Sequence, residues 1–126
     1  LARSKFLQIQ KDQNGNVTIK ITEKGRLKAL KYHFENMHKT LQWDRKWRIV
    51  IFDIPEKQKV ARNALRRKLK ELGFIEFQKS VFVFPHECKK EIDLIVEFFL
   101  LKPYVRYGIL EYIDNEQDLK KQFQLV

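Results

Sequence analysis

The sequence predicts an α+β fold in which an antiparallel sheet domain follows a β-hairpin and a helix. From Trp47 onward, apolar stretches alternate with helical patterns in the order strand, helix, strand, strand, helix, strand. Before that point, an alternating stretch is interrupted by Asn14-Gly15, a preferred dipeptide of tight hairpin turns. We therefore divide the 126 residues into two parts: residues 1–46 (hairpin, helix and linker) and residues 47–126 (sheet domain with a C-terminal tail).

The N-terminal part is predicted to be a hairpin that leads directly into a helix. Alternation places one apolar set on a single face of the two strands: Leu7, Ile9, Val17, Ile19 and Ile21. Thr22 is a suitable N-cap for the helix, in which Leu27, Leu30 and Phe34 recur at three- and four-residue spacing. Because a two-stranded hairpin is marginal in water, we expect it to pack against another part of the protein.

Residues 35–46 lack a clear period and are predicted to connect the two parts. Trp43 and Trp47 flank the basic end of this connection. Such aromatic residues either anchor a linker to the domain that follows it or stack on nucleic-acid bases. We expect the anchoring role.

The boundaries of the elements in the sheet domain are marked by residues that end strands and helices. Pro55 ends the first strand, which begins at Trp47, and Gly73 ends the first helix, which spans about residues 56–72. Strands two and three are separated only by Lys79-Ser80, so they should form a hairpin or bulged pair. The second helix, fourth strand and amphipathic tail are expected at about residues 88–101, 104–113 and 116–124. This order is the split βαβ or ferredoxin-like plan, with both helices on one face of the sheet.

The charge of the chain predicts a polyanionic partner. The formal net charge is +10, from 26 Lys and Arg against 16 Asp and Glu. Nucleic acid is the commonest partner of such a protein. A membrane surface is the alternative, but no apolar run approaches the roughly 20 residues of a spanning helix, so we expect no membrane association. Cys88 is the only cysteine, which excludes an intrachain disulfide and favours the reducing cytoplasm.

The cations concentrate on the hairpin and on the helices. Residues 1–46 carry 11 Lys and Arg and 4 Asp and Glu, whereas residues 47–126 carry 15 and 12. In the first helix of the sheet domain, cations lie beside the apolar stripe, with only Glu71 nearby to neutralise them. The stripe is either a phosphate-contacting surface or a merely solvated face. We predict that it contacts phosphates, together with residues of the hairpin and the helix after it: Lys11, Lys20, Arg26, Lys59, Arg62, Arg66, Arg67 and Lys70.

Three motifs give the chain a family resemblance. The stretches "WRIVIFDIPE", "R…LRRKL…LGF" and "FQKSVFVFP" resemble the central domain of PaaX-type transcriptional regulators. The preceding hairpin, followed by a helix opening with "ITEKGR", resembles the wing of a winged helix, so residues 1–46 are interpreted as a partial winged helix. The resemblance implies a ferredoxin-like domain, a homodimer and regulation of transcription through binding of duplex DNA.

The PaaX-type central domain is similar in turn to the small CRISPR-associated adaptation subunit. This similarity identifies Asp53 as the one position with catalytic potential. Asp53 matches a carboxylate that faces its twin across the dimer of that subunit and can hold a divalent cation. The alternative function is thus a metal-dependent endonuclease acting on DNA or RNA, or a scaffold for spacer adaptation. One carboxylate is a poor Mg²⁺ site, and Asp53 and Glu56 are equally explained as acids near a helix N-terminus. We therefore expect a structural role for Asp53 and no cofactor, with Mg²⁺ only if the protein is a nuclease.

Overall fold

The computed structural model describes residues 2–3, 7–38 and 42–125. The N-terminal part contains three strands and a helix: β1 (Ala2–Arg3), β2 (Leu7–Lys11), β3 (Val17–Ile21) and α1 (Glu23–His38). The sheet domain contains four strands and three helices: β4 (Trp47–Phe52), α2 (Lys59–Glu71), β5 (Ile75–Gln78), β6 (Val81–Phe84), α3 (Lys89–Phe98), β7 (Val105–Leu110) and α4 (Glu116–Gln122). Within the described residues, no helix is both long enough and apolar enough to cross a bilayer.

The predicted hairpin is confirmed. β2 and β3 pair antiparallel with Leu7 opposite Ile21, so the alternating apolar residues Leu7, Ile9, Val17 and Ile21 share one face as expected. The turn is held by Asp12, whose carboxylate accepts backbone hydrogen bonds from Asn14 and Asn16 at 2.8 and 2.9 Å. The short strand β1, which the sequence did not predict, adds a third strand beside β2. Whether this unit is the wing of a winged helix stays a prediction.

The ferredoxin-like plan of the second sheet is confirmed as well. Its strand order is β5-β6-β4-β7, and all neighbouring strands are antiparallel. β4 is a central strand, as its apolar residues on both faces indicated. β5 and β6 form the expected bulged pair, with the register shift between Glu76 and Gln78. Ser80, in the turn between them, adopts a left-handed conformation with a φ of 66°.

Alternation along the strands gives the sheet two covered regions on opposite faces. Val50 and Phe82 point to the face packed by α2 and α3, where Leu65 and Ile95 are fully buried. Trp47 and Val83 point to the other face, where Leu119 of α4 packs against them. The amphipathic tail is therefore a structural part of the domain.

Helix α1 packs into the core of the sheet domain. The backbone N–H of Gly25 donates to Thr22 Oγ1 at 3.0 Å, which confirms Thr22 as the N-cap. Leu27 and Leu30 are buried, and Phe34 is 1% exposed. The ring of Phe34 lies 6.3 Å from that of Phe74 and 4.9 Å from that of Phe84. The connection predicted over residues 35–46 begins later than expected, because α1 continues to His38. Its residues 39–41 lie outside the described residues. The division at residue 46 stays a prediction.

Two helix boundaries differ from the predicted ones for local reasons. The first predicted helix begins as a 3₁₀ turn, Glu56–Gln58, and becomes α-helical only at Lys59. The second ends at Phe98 because Leu100 takes a left-handed conformation with a φ of 57°. Leu101, fully buried, then donates its N–H to the carbonyl of Val96 at 3.0 Å. This arrangement is a Schellman termination formed without glycine, and the sequence carries no clear signal for it.

Candidate nucleic-acid interface

Helix α2 presents its cations on one flank because its apolar stripe fixes its rotation. Leu65 and Leu69 are fully buried, Leu72 is nearly so, and Ala61 is partly buried against the core. Steps of 100° per residue then place one set of cations on the adjacent flank: Lys59, Arg62, Arg66 and Lys70. The predicted stripe therefore exists as a spatial arrangement.

The helix ends at Gly73, as predicted. Gly73 has a φ of 104°, which favours glycine over all residues with a Cβ. Its N–H donates to the carbonyl of Lys70 at 3.1 Å, and the N–H of Phe74 donates to that of Leu69 at 3.0 Å. This Schellman motif turns the chain toward β5, and it brings Glu76 beside the stripe.

Acidic side chains of the same molecule neutralise much of the stripe. Arg66 forms an ion pair with one carboxylate oxygen of Glu76, and Lys70 Nζ lies 3.4 Å from the other. The Arg66 guanidinium also lies 5.7 Å from the centre of the Phe82 ring. Arg62 Nη1 lies 3.2 Å from Glu56 Oε2. The expectation that only Glu71 is nearby is wrong: Glu71 pairs instead with Lys68, which is 9% exposed.

Two of the predicted cations on α2 are exposed without an ion pair among the described residues: Lys59 and Arg67. Lys59 belongs to the stripe, but Arg67 follows Arg66 by one residue and thus faces about 100° further around the helix. α2 therefore offers fewer available cations to a polyanion than its sequence indicates.

The predicted cations of the hairpin point in different directions. Lys11 pairs with Val17 and lies on the face that carries the apolar residues, whereas Lys20 pairs with Gln8 and lies on the opposite face. Both lysines and Arg26 of α1 are exposed, and none of the three has an ion pair among the residues described.

Asp53 lies in an open cleft of about 380 Å³ between the end of β4 and the start of α2. The carboxylate is exposed, and its backbone N–H donates to the carbonyl of Tyr104 at 3.0 Å. The cleft holds both carboxylates considered from the sequence and several basic and polar side chains that were not assigned to it: Asp53, Glu56, Arg62, Asn63, Arg66, Lys79 and Ser80. A cleft of this composition can contact a phosphate.

These side chains do not form a magnesium centre within one chain. No group of three or more His, Cys, Asp or Glu side chains suited to holding a metal ion occurs among the described residues. Glu56, the one acid that shares the cleft with Asp53, is paired with Arg62. Because Mg²⁺ usually requires one or two carboxylates with further oxygen ligands, metal binding at Asp53 needs a second chain and stays a prediction.

The connection before β4 is anchored by a polar contact that the sequence analysis missed. Arg48, 4% exposed, donates to both carboxylate oxygens of Asp44 at 2.7 and 2.6 Å and to the carbonyl of Pro85 at 3.0 Å. The hydrogen bonds from Arg48 hold the pKa of Asp44 down at about 2. The sequence gives no clear indication of this bidentate pair, because the spacing Asp-x-x-x-Arg at the start of a strand does not by itself predict an ion pair.

The predicted anchoring by tryptophan agrees with the ring contacts. The rings of Trp43 and Trp47 lie 4.8 Å apart, and Trp47 is fully buried. The indole N–H of Trp43 donates to the carbonyl of Lys46 at 2.9 Å, and that of Trp47 donates to Glu116 at 3.0 Å. Both rings thus hold the connection against the domain that follows it.

The fold and this basic surface define a ferredoxin-like domain carrying a cationic hairpin and helix. A family model described as the PaaX protein central Cas2-like domain matches residues 40–121, which is more than half of the chain. The protein belongs to the PaaX family, and the resemblance noted in the sequence motifs is confirmed. No curated protein and no solved structure gives a significant match.

Proposed function

We propose that the protein is a cytoplasmic, DNA-binding transcriptional regulator of the PaaX-like class that dimerises through its ferredoxin-like domain. The observation that carries this proposal is the family match over residues 40–121. The net charge of +10 supports it, because a cationic protein of this size attracts the phosphate backbone of nucleic acid.

The decisive experiment is a titration of labelled duplex DNA with the protein at several salt concentrations, in which fluorescence anisotropy measures the bound fraction. We expect tight binding at low ionic strength and a steep linear fall of log K with log salt, because each phosphate contact releases counterions. Absence of binding at low salt, or an affinity indifferent to salt, would remove the proposal. Single-stranded DNA and duplex RNA of equal length are the comparison ligands.

The proposed dimer uses the face of the sheet that α2 and α3 leave open. Ile49 and Ile51 alternate with the buried Val50 and Phe52, so they point to that face, and Ile51 is 42% exposed. Val81 of β6 pairs with Ile51 on the same face. α4 covers only the neighbouring region around Trp47, so an apolar strip remains available to a second copy.

Endonuclease activity is the second candidate function. The observation that favours it is the exposed position of Asp53 in a cleft that also holds Arg62, Arg66 and Lys79. The corresponding test is the cleavage of DNA and RNA with Mg²⁺ or Mn²⁺, comparing the protein with Asp53→Asn. We expect equal rates, because one chain offers no three-ligand group among its described residues. Metal-stimulated cleavage that disappears in Asp53→Asn would establish the nuclease instead.

A further inference from the structure

We propose that a ridge on helix α1, formed by Lys24, Lys28 and Lys31, is the principal phosphate-contacting surface of the protein, and that the α2 stripe contributes less. This inference rests on the proposed DNA binding and names the surface that carries it.

The ridge is a continuous feature of one side of α1. Its three lysines follow one another at four- and three-residue spacing, which places them on one flank of the helix. All three are exposed, whereas Leu27, Leu30 and Phe34 fix the adjacent side of the helix in the core. At a rise of about 1.5 Å per residue, the ridge extends about 10 Å along the helix axis. The ridge thus presents three positive charges over a length comparable with that of a short run of backbone phosphates.

The charges of the ridge are not neutralised within the described part of the protein. No ion pair involves Lys24, Lys28 or Lys31 among those residues. Glu35 is the next residue on the same flank, yet it forms no ion pair with Lys31. Like charges at four-residue spacing destabilise a helix by a few tenths of a kcal/mol per pair. A bound polyanion removes that repulsion without breaking any existing ion pair.

The α2 stripe lacks this advantage. A phosphate approaching Arg66 or Lys70 meets the carboxylate of Glu76, and one approaching Arg62 meets Glu56. It must either displace these partners or tolerate their negative charge. Each paired cation on α2 therefore yields less net attraction than an unpaired lysine on α1.

The packing of α1 also prepares the ridge for binding. Phe34 is buried against the rings of Phe74 and Phe84, and the N-terminus of the helix is capped by Thr22. The lysine side chains thus project from a helix that is already ordered, and binding does not have to order the backbone. This surface fits the backbone of a nucleic-acid duplex, which offers evenly spaced negative charges without a required sequence.

Three triple variants test the inference against duplex DNA of one length. The first removes the ridge (K24Q, K28Q and K31Q), and the second removes the paired cations of α2 (R62Q, R66Q and K70Q). The matched control removes three exposed, unpaired lysines elsewhere in the described residues (K57Q, K102Q and K121Q). All three lose the same charge, and glutamine retains a helix propensity close to that of lysine. Circular dichroism melts show whether each variant is folded.

We expect the ridge variant to lose at least about tenfold in affinity at low salt and to lower the salt slope by about 2 to 3, corresponding to three phosphate contacts. The α2 and control variants should each lose less than about threefold, the non-specific effect of reduced net charge. A ridge variant that binds like the control, or an α2 variant that loses more than the ridge variant, would overturn the inference. If the unaltered protein does not bind duplex DNA, the proposed function itself fails, and the two failures are thereby distinguished.

Discussion

At the scale of single residues, Gly73 shows how one backbone angle positions a surface. Its φ of 104° closes α2 and directs the chain into β5, where Glu76 meets the cationic stripe. A Cβ at this position would contact only the Phe84 ring, at 3.6 Å, so space is not the main constraint. The constraint is the left-handed conformation, which costs a residue with a Cβ about 1 kcal/mol or more.

We therefore expect Gly73→Ala to lower the free energy of unfolding by about 1 kcal/mol. Urea denaturation followed by circular dichroism measures this change. Ser80→Gly is the converse variant, because Ser80 has a φ of 66° that glycine adopts without strain. It should be neutral or slightly stabilising. An unchanged stability in Gly73→Ala would show that the left-handed turn is not required.

The pair of Asp44 and Arg48 gives a second prediction at this scale. Hydrogen bonds from Arg48 hold the pKa of Asp44 at about 2, below its ordinary value of 3.8. A carboxyl whose pKa is lowered on folding stabilises the protein above its unfolded pKa and loses that contribution as the pH falls toward the folded value. Stability should therefore decline between about pH 4 and pH 2.

Asp44→Asn should remove this part of the acid dependence and destabilise the protein by about 1–3 kcal/mol at neutral pH, because Arg48 stays buried beside a weaker acceptor. Asp114→Asn is the matched control, since Asp114 is exposed without an ion pair among the residues described. Thermal melts between pH 2 and pH 7 compare the variants. Identical pH profiles for Asp44→Asn and the unaltered protein would contradict the assignment.

At the scale of the elements, hydrophobic period and turn residues were sufficient to place nearly all helices and strands. Asn14-Gly15, Pro55 and Gly73 each mark a boundary through a backbone property that belongs to the residue itself. The exceptions, β1 and the end of α3, share the absence of a residue whose backbone preference marks the boundary. β1 has only two residues, and α3 ends at Phe98 because of the left-handed Leu100, a residue with no intrinsic preference for that conformation.

The candidate surface was harder to predict because ion pairs depend on contacts between elements. Lys59, Arg62, Arg66 and Lys70 were correctly placed on one flank of α2 from helical spacing alone. The neutralisation of Arg66 and Lys70 by Glu76 depends on where β5 lies beside the helix, which sequence spacing does not encode. The same limitation hid the difference between α1 and α2, since both helices are rich in cations and, among the described residues, only those of α2 form ion pairs with acids.

The packing of α1 allows a test at the scale of elements. Phe34→Ala removes a ring that is 1% exposed and lies against Phe74 and Phe84. We expect a loss of about 3–5 kcal/mol in the free energy of unfolding, the usual cost of such a truncation in a core. Tyr32→Ala on the same helix is the control, because Tyr32 is 74% exposed and should change stability little. Urea denaturation measures both; equal effects would show that α1 does not share the core.

At the scale of the whole molecule, one face of the sheet packs against α2 and α3, and the other is only partly covered by α4. The exposed strip around Ile51 is the surface on which the proposed dimer depends. Ile51→Lys should convert the dimer to a monomer, because burying the added charge opposite an identical charge costs several kcal/mol. Sedimentation equilibrium measures the change.

Val60→Lys serves as the control for this dimer test, because Val60 is 78% exposed on α2, away from the open face. This variant should remain dimeric. A monomer in the unaltered protein, or a dimer that persists in Ile51→Lys, would contradict the proposed interface.

The burial of Phe34 has a consequence for how two copies of the protein would contact duplex DNA. Because α1 packs against the sheet domain, its orientation relative to that domain is fixed. In the proposed symmetric dimer, the ridges of the two copies would therefore stay a constant distance apart. If this dimer binds duplex DNA, the phosphates that the two ridges contact would lie at one fixed interval along the double helix.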